Sequence, residues 1–178
     1  MNSQPIIESD FGNFKLTSHN QLSFLESEQF FPIKYFVEPI WVSLDYVEQT
    51  FYYDSFYMVG ISGGGWTTTL YSAIDDRILE SYSIAGSLPI FLRSDQKNFG
   101  DYEQTNNDLY KLTNYLELYL MAASGDNRKF IQIFNKNDPC CFSGDVKNYY
   151  EKSIQNRLSQ FGNGTFQIFI DSTHNEHI

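Results

Sequence analysis

Residues 57–66 read YMVGISGGGW, an apolar and aromatic run that passes directly into Gly-Ile-Ser-Gly-Gly-Gly. A buried-looking strand that ends on a serine enclosed by glycines has two readings. One is a plain flexible turn. The other is a nucleophile, Ser62, held on a turn that tolerates only glycine around it. The segment GISGG (60–64) satisfies G-x-S-x-G, the pattern of a strand-to-helix elbow that exposes a serine hydroxyl. With glycine near its usual frequency, a chance match arises in roughly one chain in fifteen of this length, so the pattern needs its context.

The context is present. SFYMVGIS reads as a short buried strand, GGWTTTLYSAID (64–75) as a helix and RILESYSIAGS (77–87) as the next strand. In this reading Gly60 and Gly64 make room where helix presses on strand, and the N–H of Gly63 points at a developing oxyanion. The helix dipole acts in the same sense.

Alternation continues outward. FFPIKYFVEPIWVSLDYVEQTF (30–51) spaces Ile33, Phe36, Val37, Ile40, Trp41, Leu44 and Val47 as one helical face, with Pro39 inside it as a kink or start. Downstream, DLYKLTNYLELYLMAA reads as one helix, KFIQIFN (129–135) as a strand, and DVKNYYEKSIQNRLSQFG (145–162) as a helix. Asp145 would cap that last helix and Gly162 would lie past its end. TFQIFID (165–171) is the final strand. Strands alternating with helices imply a mostly parallel sheet with flanking helices, an α/β fold in a single domain over 1–178.

Bulk properties narrow the function. The chain has 178 residues, 42% hydrophobic and 19% charged, as a globular domain requires. Its formal net charge of -10 argues against nucleic acid and anionic lipid as partners. No segment has the length of a membrane span, and MNSQPIIESDFGNF is not a signal peptide. The cytoplasm is the default compartment, with secretion open if an N-terminal piece is missing. Cys140 and Cys141 are adjacent, and neighbours are expected not to bridge.

An activated serine needs a base and a carboxylate to orient it. The acid should follow a later strand, and IQIFNKNDPCCFSGD supplies Asp138 in an Asn-Asp-Pro turn. The competing reading of Asp138 is a turn aspartate satisfied by its own backbone. The base should follow the last strand. Of three histidines, His19 lies upstream of Ser62, whereas His174 and His177 both lie in the tail DSTHNEHI. Either could serve; His177 is preferred, as the residue that would precede a closing helix. A rival reading joins His174 and His177 with Asp171 or Glu176 as a metal site. No further ligand cluster supports it, so no metal and no cofactor are expected.

These residues resemble the α/β-hydrolase superfamily and, within it, esterase-like serine hydrolases. The resemblance runs from about Phe36 to His177 and rests on VGISGGGWTTTLYSAIDDRI, NKNDPCCF and the histidine tail. It implies Ser62 as nucleophile, Asp138 as acid, His177 or His174 as base, and Gly63 as oxyanion donor. It implies a helical cap insertion over 88–122. It also implies strands ahead of the elbow and a helix after the base, neither of which this sequence displays, leaving a sheet edge and one apolar face uncovered. The implied substrate is a small ester or acyl compound, cleaved through an acyl-enzyme. A serine peptidase of the same fold would carry the same residues, and a non-catalytic binding domain of this fold is the alternative from another class.

Overall fold

A computed structural model describes residues 4–10, 12–93, 95–161 and 163–177. Gly162, read above as the residue past the last helix, lies outside them. Two short strands, β1 (Ile6–Ile7) and β2 (Phe14–Lys15), pair antiparallel near the N-terminus. Helix α1 (Lys34–Thr50) follows, then β3 (Phe56–Ile61), α2 (Gly63–Ile74) and β4 (Ile78–Ile84). Three helices come next: α3 (Tyr102–Thr105), α4 (Asn107–Leu112) and α5 (Tyr115–Ala123). The chain closes with β5 (Lys129–Asn135), α6 (Lys147–Phe161) and β6 (Thr165–Asp171).

Strands β3 to β6 form one sheet in the order β3-β4-β5-β6, every pair parallel. Parallel strands of matched register bring their carboxyl ends to one rim: Ile61 stands beside Ile84, Ile84 beside Ile133, and Asn135 beside Asp171. Loops that leave this rim are where such a sheet collects chemistry.

One face of the sheet is covered. Phe130, Phe134, Phe166 and Ile168 point from it into the core beneath α2, α5 and α6. Tyr119 of α5 is fully buried and stacks on Phe130, Tyr150 and Phe166 at 5.7–5.9 Å between centroids. Buried side chains of this size stabilise the fold by about 1.5–3 kcal/mol each. Two tyrosine hydroxyls under this core are paired: that of Tyr150 donates to Gln132 Oε1 (2.8 Å), and that of Tyr119 donates to Ser87 Oγ (3.2 Å). The other face shows Tyr57, Val59, Ile61 and Phe169 to solvent, each about half exposed or more. The two sheet edges differ as well. Along β6, Glu151 accepts from the Ile168 N–H (2.7 Å) and Gln155 donates to the Phe166 carbonyl (3.1 Å). That occupies backbone groups an edge strand otherwise offers to strangers.

Several local expectations change. The helix read over 108–123 is two, because Asn114 caps α5: its side chain accepts from the N–H groups of Leu116 and Glu117, and Glu117 returns a bond to the Asn114 N–H. A capping box starts a helix and so ends the previous one. Helix α5 contributes Tyr115, Leu118, Tyr119, Ala122 and Ala123 to the core, and the segment 88–112 ahead of it carries short 3-10 turns together with α3 and α4. Pro39 neither starts nor ends α1, which runs through it, and no residue of α1 is fully buried. Helix α6 starts at Lys147, leaving Asp145 two residues outside it. Cys140 and Cys141 are joined by a disulfide, against expectation, at a Cα separation of 3.8 Å. Both cysteines lie in the turn around Asp138, described next.

Candidate active site

Ser62 sits between β3 and α2 with φ 55° and ψ -121°, a region that L-residues rarely occupy. Holding a serine there costs about 1–3 kcal/mol, which the surrounding structure must impose. It does so from both sides: the Ser62 N–H donates to the Ile84 carbonyl (2.9 Å) and its carbonyl accepts from Trp66 (3.0 Å). The glycines explain how the helix comes so near. A Cβ on Gly60 would strike the Gly64 carbonyl, and one on Gly65 would lie 2.8 Å from the Cα of Gly86. Close packing therefore falls on Gly60, Gly65 and Gly86, whereas a Cβ on Gly64 would meet open space. Thr67, Thr68 and Thr69 return their hydroxyls to the carbonyls of Gly63, Gly64 and Gly65. Ser83 of β4 donates to the same Gly65 carbonyl (2.8 Å), which binds the helix start to the neighbouring strand. Gly63 is the first residue of α2, where N–H groups have no partner within the helix and face outward.

Asp138 lies three residues beyond β5 and is 6% exposed. Its Oδ1 accepts from the N–H groups of Cys140 (2.7 Å) and Cys141 (3.2 Å). This Asx-type turn aims two consecutive amides at one oxygen. The other oxygen, Oδ2, lies 2.7 Å from Nδ1 of His177. With Nδ1–H donating to the carboxylate, Nε2 is left as an acceptor. It faces Ser62 Oγ at 3.4 Å. Such contacts are often longer before substrate arrives.

The tail that carries His177 is tied to the loop that carries Asp138. Asn135, 2% exposed, donates from its side chain to the Glu176 carbonyl (2.6 Å). Asn137 Nδ2 donates to Asn175 Oδ1 (2.9 Å), and the Lys136 N–H donates to the Asp171 carbonyl (2.7 Å). Neither asparagine was singled out in the sequence; the signal was the composition of FNKNDP, two amides ahead of the acid.

His174 is placed differently. Its Nδ1 lies 2.6 Å from Asp171 Oδ2, and its side chain is 66% exposed. Thr173 and His174 between them hold the Asp171 carboxyl down to about 2. The two tail histidines thus do not share a centre, and Glu176 contributes only its carbonyl to the contacts described here. Two groups of side chains have metal-ligand spacing among the described residues: Cys140, Cys141 and His177, and separately His19, Asp101 and Glu103. In the first, both sulfurs are spent in the disulfide.

A parallel sheet, a strained serine after one strand, an acid after a later strand and a histidine after the last make up the α/β-hydrolase fold, and the chain has it. The likeness extends to solved structures. Est1E from Butyrivibrio proteoclasticus matches at 14% identity and a TM-score of 0.47, over 78% of this chain and 59% of that one. A puromycin hydrolase matches at 14% identity and a TM-score of 0.50, over 77% and 21%. An acylaminoacyl peptidase from Pyrococcus horikoshii matches at 16% and 0.47, over 75% and 22%. The chain therefore spans less than two thirds of the first and about a fifth of the other two. No protein-family model matches the sequence, and no curated protein does.

Proposed function

We propose that this protein is a serine hydrolase that cleaves a carboxylic ester through an acyl-enzyme. The observation that carries the reading is the line of contacts from Asp138 Oδ2 to His177 Nδ1 (2.7 Å) and from His177 Nε2 to Ser62 Oγ (3.4 Å). Ser62 Oγ attacks the ester carbonyl carbon while His177 Nε2 takes its proton. The buried Asp138 carboxylate fixes the imidazole tautomer and stabilises the imidazolium that forms. The carbonyl oxygen, now an oxyanion, is met by the Gly63 N–H at the helix start. His177 then gives its proton to the leaving alcohol as the C–O bond breaks. A water, activated by the same nitrogen, attacks the acyl-enzyme and restores Ser62.

In this reading His174 is outside the reaction. The irregular segment 88–112, which leaves the carboxyl end of the strand next to that of Ser62, would shape the substrate pocket. A cleft of about 380 Å³ between this segment and the start of α5, lined by Pro89, Ile90, Phe91, Tyr110 and Leu116 among others, has mainly apolar walls, although none of Ser62, Asp138 and His177 lines it. An ester is favoured over an amide as the more reactive acyl donor for one activated serine. A small neutral or apolar acyl compound suits a protein of net charge -10 better than an anion does.

The test is labelling by a fluorophosphonate probe, read by intact mass, on the chain and on Ser62→Ala. One adduct on the parent and none on the variant would support an armed serine. No adduct on a folded parent would sink the proposal and favour a binding domain of the same fold. An ester and amide panel would then separate esterase from peptidase.

A further inference from the structure

Three side chains with no part in the triad converge where the N-terminal segment meets the irregular segment after β4. His19 begins a 3-10 turn, His19–Leu25, which Ser18 and Gln21 close with a capping box. Its ring is fixed edge-on against Phe36, 5.5 Å between centroids. His19 Nδ1 lies 3.0 Å from Glu103 Oε1 and 3.9 Å from Asp101 Oδ2. One ligand atom from each of the three lies within 4.8 Å of the others.

A hydrogen-bonded His19–Glu103 pair accounts for part of this. It leaves the second oxygen unexplained. Glu103 is 3% exposed, and its Oε2, on the carboxylate that faces His19, has no hydrogen-bond partner among the described residues. A buried carboxylate oxygen without a donor is costly, and an unseen ion is one of the few things that relieves it. A cation does so directly, because a carboxylate can meet it with one oxygen or with both.

We infer that His19, Asp101 and Glu103 form a binding site for a divalent metal ion of the zinc class. The donor set selects the class: one imidazole nitrogen beside two carboxylates suits zinc and its neighbours, whereas calcium and magnesium take oxygen alone. Spacing agrees. Ligand atoms about 2.0–2.1 Å from a tetrahedral ion stand about 3.3 Å apart, and the observed 3.0 and 3.9 Å bracket that value. The outer side is open, with the His19 and Asp101 side chains 42% and 52% exposed, which gives the ion an entry route and leaves a position for water. An ion held here would clip the N-terminal segment to α3. The clip reaches the elbow helix: Tyr110 donates to the Glu103 carbonyl (3.0 Å) and accepts from Trp66 Nε1 (2.9 Å) of α2. No position in the sequence announces the site, since His19 lies 84 residues ahead of Glu103.

Calorimetric titration of the EDTA-treated whole chain with zinc chloride, with thermal melts on the same samples, tests this without reference to activity. The expected result is one zinc per chain with a raised melting midpoint, and affinity at least about tenfold weaker in His19→Ala and in Glu103→Gln. Asp101→Asn, at an exposed position, should weaken binding while the circular dichroism spectrum stays that of the parent. The Cys140→Ser/Cys141→Ser double variant should bind as the parent does. Absence of a saturable heat would overturn the assignment. So would unchanged affinity in His19→Ala and Asp101→Asn, or loss of binding in the cysteine variant, which would move the ion to the disulfide loop.

Discussion

His174 and His177 lie three residues apart in one tail, and each has Nδ1 against a carboxylate, at 2.6 and 2.7 Å. Hydrogen bonding alone does not distinguish them. What differs is the partner's surroundings and the far side of the ring. Asp138 has a side chain 1% exposed and two backbone amides on its other oxygen; Asp171 is tied to its own local turn beside a histidine in solvent. Nε2 of His177 faces Ser62. A buried, pre-oriented carboxylate can hold a charge forming on imidazole because water does not screen it. An exposed pair of the same length is worth little. The comparison teaches that a dyad is made by its setting, not by its contact distance.

The largest effect that would break this contrast is the loss of turnover in Ser62→Ala and His177→Ala. Each is expected to lower kcat on an ester by on the order of 10⁴-fold or more, measured by steady-state hydrolysis. Equal losses in His174→Ala would show that the wrong histidine has been assigned. Asp138→Asn should come next, with about a 10³- to 10⁴-fold fall in kcat and near-parental melting behaviour. Asn135→Ala removes the amide that holds the Glu176 carbonyl; kcat should fall about ten- to a hundredfold with KM little changed, in the same assay. His174→Ala should change kcat by less than about twofold.

Asp171→Asn sharpens the comparison at the small end. The Asp171 carboxyl is lowered from 3.8 to about 2 when folded, first by Thr173 and then by His174. A depressed value stabilises the fold above the unfolded pKa, and that contribution is lost as pH falls from about 3.8 through about 2. Thermal melts across that window should be flatter in Asp171→Asn than in the parent. Identical curves would mean that the exposed pair contributes nothing.

The sheet and the elbow were legible because each has a local signature. β3 is a compact apolar run, β4, β5 and β6 are short segments rich in Ile, Phe and Tyr, and GISGG matches the elbow pattern between a strand and a helix. Asp138 was legible by order along the chain. Between the histidines the sequence preferred His177 only as the residue before an expected helix; the feature that separates the two in the structure, burial of a distant carboxylate, leaves no trace in an eight-residue tail. The break between α4 and α5 was present as Asn114-x-x-Glu117 but was masked by an apolar stripe that continues across it. Gly86 was passed over because its partner, Gly65, is brought to it only by the β3–α2–β4 crossover. The helical stripe of α1 was visible, yet its lack of full burial depends on what packs against it, which periodicity does not encode.

The asparagine-tied tail has a consequence for kinetics. On the proposed mechanism, a tail tied mainly by these asparagine side chains would open at a lower free energy than the sheet beneath it, and turnover would be the intrinsic rate multiplied by the docked fraction. Warming would raise the first factor and lower the second, so a plot of log rate against reciprocal temperature should bend well below the temperature at which the core melts.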